Sequence, residues 1–594
     1  MISERETEAG KGEMEKSCRS GKIFVTGKFY EEVEYDVCSN EAHVTFDGKG
    51  GITCSTLYNQ SGGYFREVRF NVLINGEKLD PFCDKRVKLA GRALTILLKK
   101  GGTQIEICQF VSPSESAVFC EIKTNKPGDY EFVWDLRYSR DGFFYDANVE
   151  NRYVPDNASL YLRTKRNAQL VFAYESQRYC TEMLSGFSAY RKQVEDEIRS
   201  VKIPPSAKTE RDKALYVSSV FCALENYKTF GPFNGFCASS YTNAPVLTFF
   251  RDSYWTVLSM YKAYPHLIRN QILTLAHGID ESGNCSSSIA FDFLPRFHRN
   301  HYDSPCFFVL MVYDYVNRTG DRSILSETAN GKTVYDYCFL VIDKLSEYED
   351  RTGLIVKLGK YNNRDWADQI NRTGYVTYVE LLYARALFCL SRIAGTRDAA
   401  LERKYLELSE QTKNAIDRLL WDDEKGYYVN YRDGDFIEDN LSVDTILAVL
   451  FRIADHDKTE RILDNVSKLL ETRNNRIRRL GDFGVLSVFP CYRGADRSFS
   501  RSQQPYCFHN GAAWPYWSAL VAYAFLMNGR DYTYALTSSF VWNLKAGNYT
   551  PNACYSPLFS VKMPLHARSS DAAFVYDWQN GDFFDENKSS WKTK

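Results

Sequence analysis

The sequence lacks several features that would place it in a common functional class. Its 74 lysines and arginines are balanced by 75 aspartates and glutamates, so it has no basic excess of the kind that nucleic-acid binding proteins carry. Its eight histidines include no pair at i, i+4, and its sixteen cysteines form no CxxC motif. The composition therefore disfavours nucleic acid as a partner and a zinc ion as a cofactor.

Long apolar segments are absent as well. The first twenty residues are charged and contain no apolar run of the roughly 7–15 residues that a signal peptide needs. The longest apolar run, Trp514–Met527, is too short to cross a bilayer. We therefore expect a cytoplasmic protein with reduced thiols and no membrane partner. The sequence leaves the oligomeric state open.

Aromatic residues, in contrast, are abundant. The chain has 41 Tyr, 38 Phe and 9 Trp, which together make 15% of its residues. Aromatic faces line many sugar-binding clefts, but they also fill large hydrophobic cores. The composition alone is compatible with both interpretations.

The sequence pattern divides the chain near residue 200. Before this point, short segments rich in β-branched and aromatic residues alternate with turn signals such as Asn75-Gly76 and Asp141-Gly142. We expect residues 1–20 to be a disordered tail and residues 21–182 to form an antiparallel β-sandwich. Residues 183–208 are expected to form a linker helix followed by a linker.

Residues 209–594 instead carry apolar residues at helical spacing. Eleven segments show this spacing, and a twelfth is possible near Phe483 or Ala572: Lys213–Thr229, Tyr254–Tyr264, Ile268–His277, Ser304–Asn317, Val334–Tyr348, Val376–Ile393, Leu401–Leu420, Val443–Ile453, Lys458–Glu471, Ala513–Met527 and Tyr532–Lys545. Alternating short and long connections predict a toroid of helical hairpins, with the long loops at one end building the active site. No motif recurs at a fixed period, which disfavours a simple solenoid.

Two of the long loops place a carboxylate at the start of a helix. In Phe249–Trp255, Arg251 and Asp252 precede Trp255, so the carboxylate could bind sugar hydroxyls beside an apolar wall. In the second loop, Tyr302–Pro305, Asp303 likewise stands at the start of a helix. Helix capping explains either aspartate equally well.

Two further loops combine polar groups with tryptophan. Asp365 and Asp368 lie at i, i+3 on either side of Trp366, a pairing suited to general acid chemistry or to a surface salt-bridge cluster. In Phe508–Trp517, a histidine and an asparagine come before an aromatic-rich helix start. This arrangement suits hydroxyl recognition, although a buried helix with an ordinary cap is the simpler explanation.

The order of these loops after a β-rich segment resembles the (α/α)6-barrel glycoside hydrolases. The similarity is greatest to processing α-glucosidase I and the bacterial α-glucosidases, with trehalases and alkaline invertases as relatives. It covers roughly Phe249–Trp578, and four segments resemble the motifs of that family: Phe250–Trp255, Asn363-Arg364-Asp365, Leu420–Tyr428 and Phe508–Trp517. The resemblance implies a multidomain α+β protein with an N-terminal antiparallel β-sandwich and a C-terminal (α/α)6 barrel in residues 209–594.

The resemblance also implies an inverting mechanism that needs no cofactor, in which an Asp protonates the glycosidic oxygen and a Glu activates water on the opposite face. Asp365 would be the general acid, while Asp368 would tune it or bind sugar. The residues implied in substrate binding are Arg251, Asp252, Trp255, Asp303, Trp366, Asp368, His509, Asn510 and Trp514.

The expected general base is missing from the sequence. The family has a Glu-x-Tyr-x-Pro stretch, and the matching segment here, Ala553–Pro557, has Ala553 in place of the glutamate. A second register, Gly547–Pro551, has no glutamate either. The base could be lost naturally, replaced by engineering, or relocated to one of three other carboxylates: Asp571, Glu380 or Asp444.

We therefore expect an exo-acting inverting glycoside hydrolase that removes a terminal sugar, expected to be α-glucosyl, from an oligosaccharide or glycoside. One alternative is a catalytically impaired or inactive carbohydrate-binding homologue. Another is a sugar phosphorylase on the related barrel, which would need a pocket of basic or hydroxyl groups for phosphate. The basic cluster of Arg493, Arg497 and Arg501 is expected to be a solvated loop instead.

Overall fold

The computed structural model describes most of the chain between residues 23 and 584. Outside the description are residues 1–22, 27–33, 41, 48–50, 58–62, 75–76, 79–83, 116, 139–141, 147–148, 155–158, 174–176, 239–246, 297–299, 359–364, 369, 478–480, 493–503, 546–551, 557–569 and 585–594. The expected tail, the pair Asn363-Arg364, the second register of the base motif and the Arg493–Arg501 cluster therefore lie outside the described residues.

The described residues fall into two compact units. The first lies mainly within Met1–Tyr227, and the second mainly within Pro245–Trp542 and Asn552–Lys594. The domain limits expected from the sequence remain a prediction.

The first unit contains two antiparallel sheets. Its described strands are β1 (Ile23–Thr26), β2 (Glu34–Cys38), β3 (Ala42–Asp47), β4 (Ile52–Leu57), β5 (Gly63–Ile74), β6 (Glu77–Lys78), β7 (Asp84–Ala90), β8 (Ala93–Lys100), β9 (Thr103–Val111), β10 (Ala117–Thr124), β11 (Tyr130–Tyr138), β12 (Gly142–Asp146), β13 (Val149–Val154), β14 (Ser159–Thr164) and β15 (Ala168–Ala173). The order is β1-β7-β8-β9-β10-β15-β12-β13 in one sheet. In the other it is β14-β11-β5-β4-β3-β2, with β6 paired to β5.

Alternating side chains explain why these segments form strands. In β8, Leu94, Ile96 and Leu98 are buried, while Thr95 and Leu97 between them are partly exposed. A period of two places the apolar residues on one face of a sheet. The strands and the helices confirm a mixed α+β protein, and the sandwich arrangement of the sheets remains a prediction.

The segment expected to be a linker contains two helices, α1 (Gln177–Ser185) and α2 (Phe187–Ser200). Phe187 and Val194 of α2 are buried in one hydrophobic cluster with residues of β9 and β10. The ring of Phe187 lies edge-on to Phe110 at 5.4 Å and to Phe119 at 5.6 Å. The helix is therefore packed on the sheet, where aromatic contacts stabilise it.

The second unit is built from helices. After α3 (Glu210–Asn226), which belongs to the first unit, the described helices are α4 (Phe250–Val257), α5 (Pro265–His277), α6 (Ser304–Thr319), α7 (Val334–Ser346), α8 (Thr377–Ala394), α9 (Ala399–Leu420), α10 (Ile446–Leu450), α11 (His456–Asn465), α12 (Pro515–Met527), α13 (Thr533–Lys545) and α14 (Asp571–Asp577). The eleven helices expected from periodicity are confirmed, and α14 is the twelfth. Among the described helices, none is both long and apolar enough to cross a membrane.

Every second helix lies in the interior. Helices α4, α6, α8, α10, α12 and α14 are buried along nearly their whole length, whereas α9 and α11 bury only one face. Each interior helix contacts the next one, from α4 to α6 and onward to α14. Ser570, just before α14, donates a hydrogen bond to Thr256 O of α4 at 3.4 Å. This succession is what an (α/α)6 barrel requires.

Side chains at the N-terminal ends of the interior helices meet one another. Arg251 of α4 reaches Asp303 at the start of α6, and Tyr378 of α8 donates a hydrogen bond to the same aspartate. Trp366, in the loop before α8, contacts Asp444 before α10 and Trp514 before α12. The loops that carried the candidate residues in the sequence are therefore brought together.

Each of the outer helices α5, α7 and α9 is followed by a turn in which an aspartate side chain accepts backbone hydrogen bonds, at the same end as the candidate residues. After α5, Asp280 Oδ1 accepts hydrogen bonds from the N–H groups of Ser282 and Asn284, both at 2.9 Å. After α7, Asp350 Oδ1 accepts from Thr352 N at 2.8 Å, and after α9, Asp422 Oδ1 accepts from the next lysine's N–H at 3.0 Å. These aspartates follow one another at about 70-residue intervals. Only the turn residues recur, so the sequence shows no longer repeated motif.

Asp314, inside α6, generates a prediction about stability. It is buried, and its Oδ2 accepts a hydrogen bond from Tyr254 at 2.9 Å. Burial raises the pKa of Asp314 to about 6, although the charges of Arg318 and Arg385 oppose the shift. The folded state thus binds the proton more tightly than the unfolded state, and this carboxyl lowers stability as pH rises from about 4 to about 6.

We expect Asp314→Asn to raise the free energy of unfolding at pH 8 by up to about 3 kcal/mol, because asparagine keeps the acceptor and removes the buried charge. The gain should disappear below about pH 4, where both states carry the protonated acid. Denaturant titrations of both proteins across this pH range provide the measurement. An equal gain at pH 4 and pH 8 would contradict the assignment.

Candidate active site

The carboxylate of Asp365 is completely buried between two cations. Lys357 Nζ lies 2.5 Å from its Oδ2. Arg372 donates from Nη2 to Oδ1 at 2.8 Å and from Nε to Oδ2 at 3.3 Å. The N–H of Ala367 also donates to Oδ1, at 2.8 Å. Each carboxylate oxygen therefore accepts two hydrogen bonds.

These contacts determine the protonation state of Asp365. Burial alone would raise its pKa, but the charges of Arg372 and Lys357 outweigh burial and hold the pKa of Asp365 well below its usual range. A general acid must instead carry a proton near the working pH. The environment of Asp365 is thus that of a permanent carboxylate and argues against the acid role that its sequence motif implied.

Arg372 connects Asp365 to the neighbouring tryptophan. Its Nη1 donates to Asp444 Oδ2 at 2.8 Å and to Asn430 Oδ1 at 3.1 Å. The same Asp444 oxygen accepts a hydrogen bond from Trp366 Nε1 at 2.7 Å. We call Asp365–Asp368 the acidic loop. Its first two residues, Asp365 and Trp366, are therefore both held by one guanidinium, directly or through Asp444.

We call Lys357, Asp365, Arg372 and Asp444 the buried quartet. All four side chains are at most 1% exposed. Two positive and two negative charges balance, which is the condition under which buried ions are tolerated. Of the two aspartates considered for a surface salt-bridge cluster, Asp365 belongs instead to this buried one.

Asp303 forms a second buried centre. Its carboxylate accepts hydrogen bonds from Tyr378 at 2.9 Å, from Arg251 at 3.3 Å and from His301. Burial alone would raise the pKa of Asp303, but the charges of His301 and Arg251 lower it. Asp303 occupies the residue before α6 but makes no capping hydrogen bond. The capping explanation is therefore wrong for Asp303, because these side chains occupy the carboxylate.

Asp252 does not cap its helix either. Helix α4 begins at Phe250, so Asp252 lies within the first turn, and its Oδ2 is 3.5 Å from Arg251 Nε. Burial would lower the pKa of Arg251, but Asp303 and Asp252 raise it well above its usual value, and Asp368 contributes in the same direction. Arg251 is thus a fixed cation whose charge interacts with the exposed end of the acidic loop.

Aromatic rings surround the second polar loop. His509 stacks on Trp514 with ring centroids 4.9 Å apart and an interplanar angle of 2°, and it meets Trp366 edge-on at 5.4 Å. Trp514 Nε1 donates to Phe508 O at 3.2 Å. The imidazole of His509 is therefore held on both sides by indoles of two different loops.

Trp255 lies deeper in the same unit. Its ring is 0% exposed and packs against Phe307 at 5.4 Å and Trp517 at 6.0 Å. Trp255 was expected to form a wall of the sugar cleft, but complete burial makes it part of the aromatic core. Trp514, at 1% exposure, is also buried but contacts Trp366 beside the acidic loop.

Asp368 differs from the other carboxylates of the site because it is exposed. Its side chain is 47% exposed, and its Oδ1 lies 3.4 Å from His509 Nδ1. It follows Trp366 by two residues, at the end of the turn that the buried quartet holds. Asp368 is therefore accessible to a substrate, whereas Asp365 is not.

The side chain of Asn510 binds a backbone group, in addition to any contact with a sugar. It is fully buried, and its Oδ1 accepts a hydrogen bond from Tyr492 N at 3.0 Å. Tyr506 and Phe508 of the same loop adopt positive φ angles of 65° and 41°. Such conformations cost free energy in non-glycine residues, so the loop around His509 is held in shape by its surroundings.

The segment of the missing base lies beside this loop. Tyr555 N donates to Ala513 O at 2.7 Å, and Ala513 N donates to Tyr555 O at 2.9 Å. Ala553, two residues earlier, is buried with 2% exposure. The segment that contains position 553 is therefore paired, through Tyr555, with Ala513 just before α12.

The three carboxylates considered as relocated bases are buried and engaged in other ways. Glu380 accepts a hydrogen bond from Ile355 N at 3.0 Å, and burial raises its pKa well above the usual value. Asp444 belongs to the buried quartet. Asp571, in the first turn of α14, is 0% exposed. None of these three is placed like a base that activates water in an open cleft.

Sequence reasoning missed four residues that complete the site. Lys357 and Arg372 stand eight residues before and seven residues after Asp365, and His301 and Tyr378 lie near helix starts. Their role depends on contacts between loops, so no local pattern marks them. Among the described residues, no group of His, Cys, Asp and Glu could hold a metal ion.

Comparison with known proteins finds a family model that matches part of the chain. Residues 226–479 match the model described as Glycosyl hydrolase 94 superfamily, catalytic domain. Less than half of the chain is therefore similar to the catalytic domain of that superfamily. The matched residues include Arg251, Asp303, the buried quartet and Asp368, while His509 and Ala553 lie beyond the match. The resemblance to (α/α)6-barrel glycoside hydrolases is thereby confirmed.

Two curated proteins are similar to this chain over a shorter stretch. The N,N'-diacetylchitobiose phosphorylase of Vibrio furnissii is 30% identical over 184 residues, and that of Vibrio proteolyticus is 26% identical over 186 residues. Each match covers 28% of this chain and 22% of the relative. The match therefore spans less than a quarter of the length of these relatives.

A solved structure is similar over nearly the whole chain. A bacterial glucoamylase complexed with acarbose covers 93% of this chain and 92% of its own, with a TM-score of 0.62 and 13% identity. At this identity the likeness shows the fold alone. It supports the combination of antiparallel sheets and a helical catalytic domain.

The buried quartet generates a prediction about stability. Asp365→Asn should lower the free energy of unfolding at pH 7 by about 3–5 kcal/mol, because it leaves Lys357 and Arg372 without one of their counter-charges. Because the pKa of Asp365 is lowered in the folded state, its stabilisation is complete above the unfolded pKa of about 3.9 and declines as pH falls. The measurement is unfolding by denaturant at pH 7 and pH 4.

The matched control is Glu410→Gln, which removes the 2.8 Å pair with Lys413 on the surface of α9. An exposed pair is worth about 0–1 kcal/mol, so this change should have little effect. Equal stability of Asp365→Asn and the unmodified protein at pH 7 would contradict the structural role of Asp365.

Proposed function

We propose that the protein is a glycoside phosphorylase, which transfers a terminal sugar from an oligosaccharide or disaccharide to inorganic phosphate with inversion at C1. The observation that carries the proposal is alanine at position 553, beside a site that keeps an accessible acid. An inverting hydrolase needs a base to deprotonate water. Phosphate is already an anion, so it can attack without that base.

The acid we propose is Asp368. Its 47% exposure leaves it open to substrate, whereas Asp365 is buried and held as a carboxylate. Asp368 lies next to His509, and the turn before it fixes the location of its backbone. This exposure supports the proposal, because a general acid has to reach the glycosidic oxygen.

The reaction can be written with these groups. The bond between C1 and the glycosidic oxygen breaks, and Asp368 gives its proton to that oxygen. An oxygen of hydrogen phosphate forms the new bond to C1 from the opposite face. The products are a sugar 1-phosphate and a sugar with a free hydroxyl. Solvent returns a proton to Asp368, which balances the proton that the phosphate ester releases.

The rest of the site suits recognition of the sugar. Arg251, held by Asp303, supplies a fixed positive charge near Asp368. Trp366 and His509 are buried at 1% and 2% exposure, so their rings support the position of Asp368 and do not face the sugar. Asp252 and Asn510 are placed to hold these groups, although both side chains are buried.

The comparisons support the phosphorylase over the hydrolase first expected. Both curated relatives are named as phosphorylases of a disaccharide, N,N'-diacetylchitobiose. Residues 226–479, which match the family model, include Asp368 and Arg251. We therefore propose a disaccharide or short oligosaccharide as the donor, with glucose or N-acetylglucosamine at the transferred end.

Two alternatives remain as outcomes of the test. A hydrolase with a relocated base would release free sugar in the absence of phosphate, but Glu380, Asp444 and Asp571 are all buried. An inactive carbohydrate-binding homologue would bind the sugar and release nothing. The proposed phosphorylase alone depends on phosphate for turnover.

We expect phosphate-dependent release of a sugar 1-phosphate when the protein is incubated with inorganic phosphate and a panel of N,N'-diacetylchitobiose, cellobiose, maltose and trehalose. Asp368→Asn should lower the rate on the active disaccharide by about 10²–10⁴, because protonation of the leaving oxygen is lost. A 4-nitrophenyl glycoside of the same sugar needs little protonation and should lose much less. Phosphate consumption and nitrophenol release provide the two measurements.

The control for this experiment is Asp417→Asn, which lies on α9 and accepts hydrogen bonds from Tyr428 and Lys458 away from the site. It should leave both rates unchanged. Release of free sugar at the same rate with and without phosphate would overturn the phosphorylase. Full activity of Asp368→Asn on the disaccharide would overturn the assignment of the acid.

Position 553 gives a separate prediction. Ala553→Glu should raise hydrolysis in phosphate-free buffer by about 10²–10⁴, the usual contribution of a general base, provided that the variant melts near the temperature of the unmodified protein. Ala553→Gln is the matched control, because it adds the same volume without a basic oxygen. If the two variants hydrolyse the disaccharide equally slowly, position 553 does not face the reacting carbon.

A further inference from the structure

We infer that Arg372 is a positioning residue for the catalytic Asp368, and that it acts through two separate routes. This inference rests on the proposed function, because it presumes that Asp368 is the acid. Arg372 itself is fully buried and contacts no described exposed group. Its effect on Asp368 must therefore pass through the residues that it holds.

The first route runs along the backbone of the acidic loop. Arg372 holds both oxygens of Asp365, from Nη2 at 2.8 Å and from Nε at 3.3 Å. Asp365 Oδ1 in turn accepts from Ala367 N at 2.8 Å, which closes a tight turn over the two residues that follow. Asp368 is the next residue, so its backbone begins from a fixed point.

The second route runs through aromatic rings. Arg372 Nη1 and Trp366 Nε1 share the Oδ2 atom of Asp444, at 2.8 Å and 2.7 Å. The indole so fixed meets the ring of His509 edge-on, with centroids 5.4 Å apart and planes at 90°. His509 Nδ1 lies 3.4 Å from Asp368 Oδ1. This route reaches the carboxyl group itself, whereas the first route fixes the backbone.

The chemistry explains why a guanidinium occupies this position. Arginine has five N–H donors in a planar fork, so one side chain can hold two carboxylates on different loops at once. Lysine would supply the same charge from a single nitrogen and could not donate hydrogen bonds to both carboxylates in these two directions. Charge balance alone would accept either lysine or arginine, whereas the two hydrogen-bonding directions require arginine.

The two routes have different consequences for catalysis. A small misplacement of a general acid lowers the rate of proton transfer, while the sugar pocket remains able to bind substrate. We therefore expect loss in kcat with little change in KM. A merely structural role would lower activity on every substrate alike, or lower the amount of folded protein.

The central test is Trp366→Phe, which removes the Nε1 donor and keeps an aromatic ring. We expect kcat for phosphorolysis of N,N'-diacetylchitobiose, or of cellobiose, to fall about 10-fold, with KM within about 3-fold. On the corresponding 4-nitrophenyl glycoside, which hardly needs the acid, kcat should change less than about 2-fold. Arg372→Lys should give a larger loss of the same kind, with the fraction of folded protein measured by circular dichroism.

A double variant separates positioning from other effects. In the Asp368→Asn background, Trp366→Phe should cause no further loss on either substrate, because the residue it positions is already gone. The matched control is Trp421→Phe, which removes an indole bond to Asp423 of 3.4 Å in an exposed hairpin. That variant should keep both kcat values.

The possible results are distinct. Equal losses for Trp366→Phe on both substrates, a loss that persists in the Asp368→Asn background, or no loss at all would overturn the inference while leaving the acid assigned. If Asp368→Asn itself keeps full activity on the disaccharide, the proposed acid fails and the positioning role fails with it.

Discussion

The structure of the site depends on one buried ion pair system, in which a carboxylate lies between a lysine and an arginine. Four charged side chains lose nearly all their contact with water, a cost of several kcal/mol for each ion unless they pair. Pairing requires that the loops before α8 and α10 meet at a defined distance. The charge balance of the buried quartet therefore fixes the arrangement of the loops, and the exposed acid depends on that arrangement.

This dependence explains how a site can be assembled from loops that are far apart in sequence. The interior helices begin at neighbouring points, and each loop contributes one or two side chains there. Arg251 and Asp303 join the first two loops, and Trp366 joins the next three through Asp444 and Trp514. Rigid helices carry these loops, so that the site obtains its geometry from the scaffold while its chemistry comes from the loops.

Much of this could be predicted from the sequence, because periodicity is a local property. The helices from α3 to α13 follow from apolar spacing, and the acidic loop was found from two aspartates beside a tryptophan. The division of labour between the two aspartates could not be predicted. It depends on Lys357 and Arg372, whose approach to Asp365 is a matter of tertiary contact. Trp255 was assigned to the wall of the cleft for the same reason, because its complete burial cannot be recognised from the local sequence.

The turns that follow the outer helices have a consequence for how the chain can be rearranged. The turns at Asp280, Asp350 and Asp422 close on their own hydrogen bonds, and their described contacts include none with the buried quartet. New chain ends placed between Asp350 and Gly353 would interrupt no segment that carries Arg251, Asp368 or His509. The turns lie at the same end of the helices as the site, yet a cut within one of them leaves the site residues on unbroken segments, so the turns are natural points for circular permutation.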